Sequence, residues 1–244
     1  MAEGGVLAIV PARGGSRGIP GKNLARAGSR SLLGWAVAAA AESRHRPRVV
    51  VSTDSEEIAA AALQEGAEVP FLRPAELARD DTPGTAPVLH ALRWLEQHEG
   101  YRPRWVVLLQ PTSPLRTAAD VDAALELAEA RGADSVVSVT PAPVHPFWIK
   151  RLDEEGMLRD FAPVPEGITR RQDLPAAYAL NGAVYVARRD VLLAEETFHT
   201  GRTLGYVMPP ERSLDIDTPW ELHVAGLVLS AAERDPAATT GTGG

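Results

Sequence analysis

LAIVPARGGSRGIPGKN, residues 7–23, decides how this chain is read. An apolar run without in-out alternation ends at Pro11, and PARGGSRGIPGKN follows with four glycines, three cations and no carboxylate. A buried strand that empties into such a loop is the opening unit of an α/β fold, where ligands sit beyond the carboxyl ends of parallel strands. Glycines alone make only a turn. The flanks add to this: from Gly4 to Ala41 there is no Asp or Glu, while Arg13, Arg17, Lys22, Arg26 and Arg30 fall inside that window. The chain as a whole carries a formal charge of −7. An acidic protein with one cationic end suits a small anionic ligand and lacks the basic footprint of a nucleic-acid binder.

Outward from the loop, β-rich apolar runs alternate with helical patterns. SLLGWAVAAAAES, RVVVST, SEEIAAAALQEG, APVLHALRWLEQH, WVVLLQ, AADVDAALELAEAR and DSVVSVT follow in that order. Runs such as 49–51 and 105–109 are apolar throughout, as strands covered on both faces are. The expected fold is α/β, a Rossmann-like, mostly parallel sheet with helices on both faces. The rhythm breaks at 141–171, which is Pro-rich and holds two short strand candidates, FWIKRL and MLRDF, around the turn DEEG. That segment reads as a hairpin projecting from the sheet. The α/β pattern resumes with GAVYVA, TLGYVM and a helix from Pro219. The expected division is a main domain of 1–140 and 172–233, an extension of 141–171, and a flexible tail of 234–244 with too little apolar content to pack.

With 244 residues, 45% of them apolar, the chain can bury one sizeable core. Cysteine is absent, so no disulfide or thiolate metal site forms. The longest uncharged apolar run, LLGWAVAAAA, is too short to span a bilayer, and the first residues lack the pattern of a signal peptide. A cytoplasmic protein without a membrane partner is expected.

Four motif readings compete for the glycine loop. A P-loop needs Gly at Ser16 and a hydroxyl residue at Asn23; a dinucleotide fingerprint needs Gly at Ser16 and Gly or Ala at Ile19. Both fail. Gly14-Gly15-Ser16-Arg17-Gly18 fits the G-x-S-x-G elbow of serine hydrolases, but an elbow passes straight into a helix and Ile19-Pro20-Gly21 continues the loop. The fourth reading is a polyphosphate cradle, in which glycines admit backbone N–H groups to phosphate oxygens and Arg13, Arg17 and Lys22 supply charge. It accounts for the glycines and the acid-free window together.

The loop also resembles the signature of the acylneuraminate cytidylyltransferases, and further stretches are similar in the same order. These are STD at Ser52, LRPAELA at Leu72, LLQPTSPLR at Leu108, RRQDLPAAYALNGAVYV at Arg170 and SLDIDT at Ser213. The resemblance covers the chain to about Leu229. It implies an enzyme in which the hydroxyl of a keto-acid sugar attacks the α-phosphate of CTP and expels pyrophosphate. It also implies a homodimer built through the projecting element. Arg13, Ser16, Arg17, Lys22 and Asn23 would line the nucleotide, with Arg13, Arg17 and Lys22 on the phosphates and Asn23 nearer the sugar or base, and Arg73 would read the cytosine edge. Gln110, Arg171 and Tyr185 would meet the acid sugar, Arg171 reaching across to the other subunit's site.

Asp215 and Asp217 stand two apart in LDIDTPWE, so an extended segment points both carboxylates to one face, an arrangement that asks for a cation. Mg²⁺, with Mn²⁺ able to replace it, fits a pair of carboxylates. By the same resemblance Asp217 is placed among the catalytic residues with Arg17 and Lys22. Thr218, Pro219 and Glu221 read as an ordinary helix start. Asp54, with Glu57 three residues on, reads as a helix cap without chemistry. The histidines show no metal-ligand spacing.

Two positions depart from the family. Trp148 stands where some members have a lysine, and Phe198-His199 where some sialic-acid enzymes have two phenylalanines. The nucleotide half therefore matches better than the sugar half. The acceptor stays open between sialic, legionaminic or pseudaminic acids on one side and keto-deoxyoctulosonate or a small phosphonate on the other. Asn23 weighs against octulosonate enzymes, whose loop usually runs Gly-Lys-Pro. A serine hydrolase and a non-catalytic nucleotide-binding module are the remaining rivals, and the Asp215/Asp217 pair counts against the second.

Overall fold

The computed structural model describes residues 4–16, 18–163, 167, 170 and 174–235. β1 (Val6–Pro11) opens the chain and runs into the glycine loop. The loop ends on a small ribbon, β2 (Arg26–Ala27) and β3 (Arg30–Ser31). Ser31 then caps α1 (Leu32–Ala41), its hydroxyl accepting from Gly34 N. The alternation continues through β4 (Arg48–Ser52), α2 (Glu56–Gln64), α3 (Ala86–Glu99), β5 (Trp105–Leu108), α4 (Ala118–Arg131) and β6 (Ser135–Pro141). Next come a separate hairpin of β7 (Lys150–Leu152) and β8 (Leu158–Asp160), then β9 (Tyr178–Arg188), α5 (Arg189–Glu195), β10 (Thr203–Val207) and α6 (Pro219–Arg234).

Six strands form the main sheet in the order β10-β6-β9-β5-β1-β4. β4, β1 and β5 are parallel, as are β6 and β10, and β9 alone runs against both of its neighbours. The reversed strand has a simple origin. β6 ends at the carboxyl edge of the sheet, and among the described residues between it and β9 no α-helix carries the chain back across the sheet. A strand re-entering from there runs antiparallel.

Burial explains the apolar runs. Leu7, Ala8, Ile9 and Val10 are all fully buried, Ala8 and Val10 toward α1, α2 and α4, and Leu7 and Ile9 toward α3 and α5. Each such Leu, Ile or Val contributes about 1.5–3 kcal/mol by leaving water. A third cluster brings Ile19 of the glycine loop against Ile216 and, from α6, Ala225 and Leu229. The loop is thereby packed against the acidic segment near the far end of the chain.

Strand succession sets the place of a site. From β1 the chain moves outward to β4 and then returns to the other side of β1 as β5. The loops after β1 and β5 flank this reversal, which is where open α/β sheets bind ligands. Among the described residues no helix is long and apolar enough to cross a membrane.

Candidate active site

At that reversal lies a cleft of about 420 Å³, lined by Arg13, Ser16, Lys22, Asn23, Arg73, Gln110 and Asp217 together with the segment 79–84. Sequence-predicted residues from four separate stretches therefore meet in one cavity, while the predicted Asp215 and Tyr185 are not among its lining residues. Arg17 and Arg171 lie outside the described residues, as does the tail from 236 onward. A larger cleft, about 590 Å³, opens around Gly4, Arg104 and Arg188 and contains none of the predicted residues. Its arginines are matched by acids, Arg102 to Glu96, Arg104 to Glu129 and Arg188 to Asp190.

Lys22 is held tightly for a lysine. It opens a short 3-10 turn, Lys22–Leu24, and its ammonium donates to Ile216 O at 2.8 Å and to Asp217 Oδ1 at 3.2 Å. The serine-hydrolase reading requires a helix directly after Gly18, and the chain instead makes this turn and the β2–β3 ribbon. Glycine is required at Gly18 for a different reason. A Cβ there would stand 2.5 Å from Asp217 O, so any larger residue would force the loop off the acidic segment. Asn23 is buried and donates its Nδ2 to Arg13 O at 2.8 Å, which fixes the loop from beneath. Arg13 itself reaches across the cleft to Asp80 at 2.5 Å.

Asp215 and Asp217 flank Ile216, which is fully buried and whose N donates to Thr112 O at 2.8 Å. The alternation turns both carboxylates away from the core. The surrounding protein desolvates the Asp215 carboxyl and pushes its pKa up, Asp217 adds to the rise, and Thr112 and Lys22 oppose it. Two carboxylates turned to one side are the hard-oxygen donors here that would hold a divalent cation such as Mg²⁺. Among the described residues no three His, Cys, Asp or Glu side chains cluster as a metal cage. Glu221 steadies this segment by accepting from Asp217 N at 2.8 Å and Thr218 N at 2.7 Å, and with Thr218 it closes the capping box of α6. On the other side Arg212 forks onto fully buried Asp120 at 2.8 and 3.1 Å.

Under the acidic pair sits a network that sequence reasoning did not find. β6 and β9 slip register between Val137 and Val139, opposite Asn181 and Gly182. Gly182 has φ +71°, and a Cβ there would lie 3.0 Å from Gln110 Oε1 and 3.6 Å from Asp215 Oδ2. Ser138 donates to Asn181 Oδ1 at 2.6 Å, and Asn181 Nδ2 donates to Ser213 Oγ at 2.9 Å. Arg116 is wholly buried beside them and donates Nη1 to Gln110 O and to Ala183 O. Burial draws the Arg116 pKa down to about 10, with Asp120 acting the other way. The available signal was an Asn-Gly pair inside an otherwise apolar strand, the mark of a bulge.

Tyr185 projects from β9, packed on buried Phe198 with ring centres 5.6 Å apart and edge-on to exposed His199. Desolvation, and then the charge of Asp215, raise the pKa of its hydroxyl. Arg26 and Arg30 stay out of the cleft, Arg30 pairing with Glu65. Asp54 departs from expectation, because the cap of α2 is Ser55 and the Asp54 carboxylate turns to Gly14 and Arg73.

Known proteins bear on this geometry. A CMP-N,N'-diacetyllegionaminic acid synthase of Legionella pneumophila is 36% identical over 226 residues, 89% of this chain and 94% of that protein. An N-acylneuraminate cytidylyltransferase of Streptococcus agalactiae is 34% identical over 90% of this chain, and there the chain spans only 52% of the relative's length. Among solved structures, a CMP-2-keto-3-deoxy-manno-octonic acid synthetase complexed with CTP superposes with a TM-score of 0.68 at 17% identity, covering 93% of this chain and 99% of that one, which speaks for the fold alone. The cytidylyltransferase family model matches residues 7–202, a span that takes in the glycine loop, Arg73, Gln110 and Tyr185. On these matches, the chain belongs to the cytidylyltransferase family.

Proposed function

We propose that the protein transfers CMP from CTP to a carboxylate-bearing sugar of the nonulosonic type, a sialic, legionaminic or pseudaminic acid. The acceptor hydroxyl oxygen bonds to the α-phosphorus, the bond from that phosphorus to the β-phosphate oxygen breaks, and pyrophosphate leaves. The observation that carries the reading is the single cleft in which the glycine loop, Arg73, Gln110 and Asp217 converge. The acceptor class rests on the two relatives' names and on their identity over nearly all of this chain.

Within the cleft, Lys22 and Arg13 lie on the phosphate side, and with Arg17 they meet charge developing on the departing pyrophosphate. Arg73 faces the base, where a guanidinium fork matches the N3 and O2 acceptors of cytosine. Gln110, Tyr185 and Arg171 attend the acid. Asp215 and Asp217 are the residues that would hold Mg²⁺, which when bound supplies positive charge at the attacked phosphate. Pyrophosphate release with CTP and Mg²⁺ against a panel of acids tests the whole assignment. Sialic, legionaminic or pseudaminic acid should turn over at least about tenfold faster than keto-deoxyoctulosonate or a small phosphonate, a difference of about 1.4 kcal/mol. Faster turnover of either of the last two would move the acceptor class.

The same reading includes a homodimer. The β7–β8 hairpin leaves Leu152, Leu158 and Phe161 each at least 68% exposed, with Ile149 and Met157 also open to solvent. An isolated two-stranded hairpin is marginal in water, and such an apolar face finds its natural cover on a second copy. Light scattering at micromolar concentration should return twice the chain mass, and Leu158→Asp with Phe161→Asp should return the monomer. A fully active wild-type monomer would remove the dimer from the scheme.

A further inference from the structure

We propose that Asp54 is a positioning residue for the nucleotide, one carboxylate that fixes the glycine loop and keeps the Arg73 guanidinium in register with it. The inference rests on the reading of Arg73 as the residue that faces the base. Asp54 ends the turn after β4, and its Oδ1 accepts from Gly14 N at 2.9 Å while standing 3.6 Å from Arg73 Nη2. The loop lies close on this turn, since a Cβ at Gly14 would approach Ser55 Cβ to 3.2 Å. The same turn also holds Arg73 by its backbone, Arg73 N donating to Thr53 O at 2.7 Å.

The guanidinium needs such a partner. The Arg73 side chain is 3% exposed, and its Nε and Nη2 make no hydrogen bond. Burial works against its charge, Arg13 adds to that, and Asp54 is the group that opposes both. A buried cation with two nitrogens lacking hydrogen-bond partners keeps its charge only beside a carboxylate, and Asp54 is the one within reach of Nη2. A capping role does not explain Asp54, because Ser55 already caps α2 by accepting from Ile58 N. Asp54 thus joins the phosphate end of the cleft to its base end.

Calorimetric titration of the full chain with CTP and with UTP tests this in a double-mutant cycle of D54N and R73A. Asn keeps an acceptor for Gly14 N and removes the charge. Asp54→Ser, which keeps a short hydroxyl acceptor, is the second variant should the amide disturb the turn. D54N should weaken CTP about tenfold and narrow the CTP over UTP preference by a similar factor. In the R73A background the same change should cost less than about twofold, since coupled neighbours are not additive. Wild-type affinity and preference in D54N, beside a weakened R73A, would overturn the proposal alone. An effect of D54N undiminished in the R73A background would also overturn it. Wild-type behaviour of R73A would remove the reading of Arg73 and the proposal with it.

Discussion

Lys22→Ala should lower turnover about 10²–10³-fold, equivalent to about 2.7–4 kcal/mol of transition-state stabilisation, with a smaller rise in the KM for CTP. The ammonium is preorganised: it is fixed by Ile216 O and Asp217 Oδ1, and its side chain is only 15% exposed. A charge held in a partly desolvated cleft does not reorganise when negative charge moves onto the leaving group. The contact with Asp217 adds a structural role, so the melting temperature must be followed with the kinetics. Loss of turnover with an unchanged melting temperature assigns the effect to the cleft. Near-normal turnover in a folded variant would reduce the glycine loop to a turn.

Chelation should abolish activity, and Mg²⁺ or Mn²⁺ should restore it. Asp217→Asn should lose about 10²-fold or more in turnover, while CTP affinity changes far less, since a metal contributes several kcal/mol at the charged transition state. The expectation rests on two carboxylates turned to one side of buried Ile216, one of them kept from ionising easily by its surroundings and by the other. The Asn variant also leaves Lys22 without its carboxylate partner, so Asp215→Asn serves as the control that spares that contact. Full activity in chelator, or normal turnover in both Asn variants, would leave the pair without a catalytic role.

The fold was legible because its signals are local. Strands such as β1 and β5 are buried on both faces and read as unbroken apolar runs, and α6 announces itself through Thr218, Pro219 and Glu221. The direction of β9 was not legible, since GAVYVA has the same composition whichever way it runs. Among the described residues between β6 and β9 no α-helix forms a crossover, and β9 pairs antiparallel with both neighbours. In the cleft, the glycine loop, Arg73, Gln110 and Asp217 converged as their motifs implied, whereas Arg79 and Asp80 were missed because they sit in a turn-like RDDTPG stretch with no motif of their own. Asp54 was misread for a physical reason: Asp and Ser both cap helices, and only the contacts with Gly14 and Arg73 show that Ser55 took that task.

The single reversed strand divides the labour of the cleft by chain segment. The loop after β1, Arg73, residues 79–84 and Gln110 all come from the first half of the chain, which also supplies the strands β4, β1 and β5. Asp217 is the residue from the second half that lines the cleft, while Tyr185 and the Gly182 bulge come from β9, between β5 and β6, outside that lining. For the proposed reaction this makes donor and acceptor recognition separable by inheritance. Substitutions in β9, the hairpin and the 198–199 pair can retune which acid is accepted while the CTP half stays as it is. A lineage of such enzymes can change the sugar it activates without relearning the nucleotide.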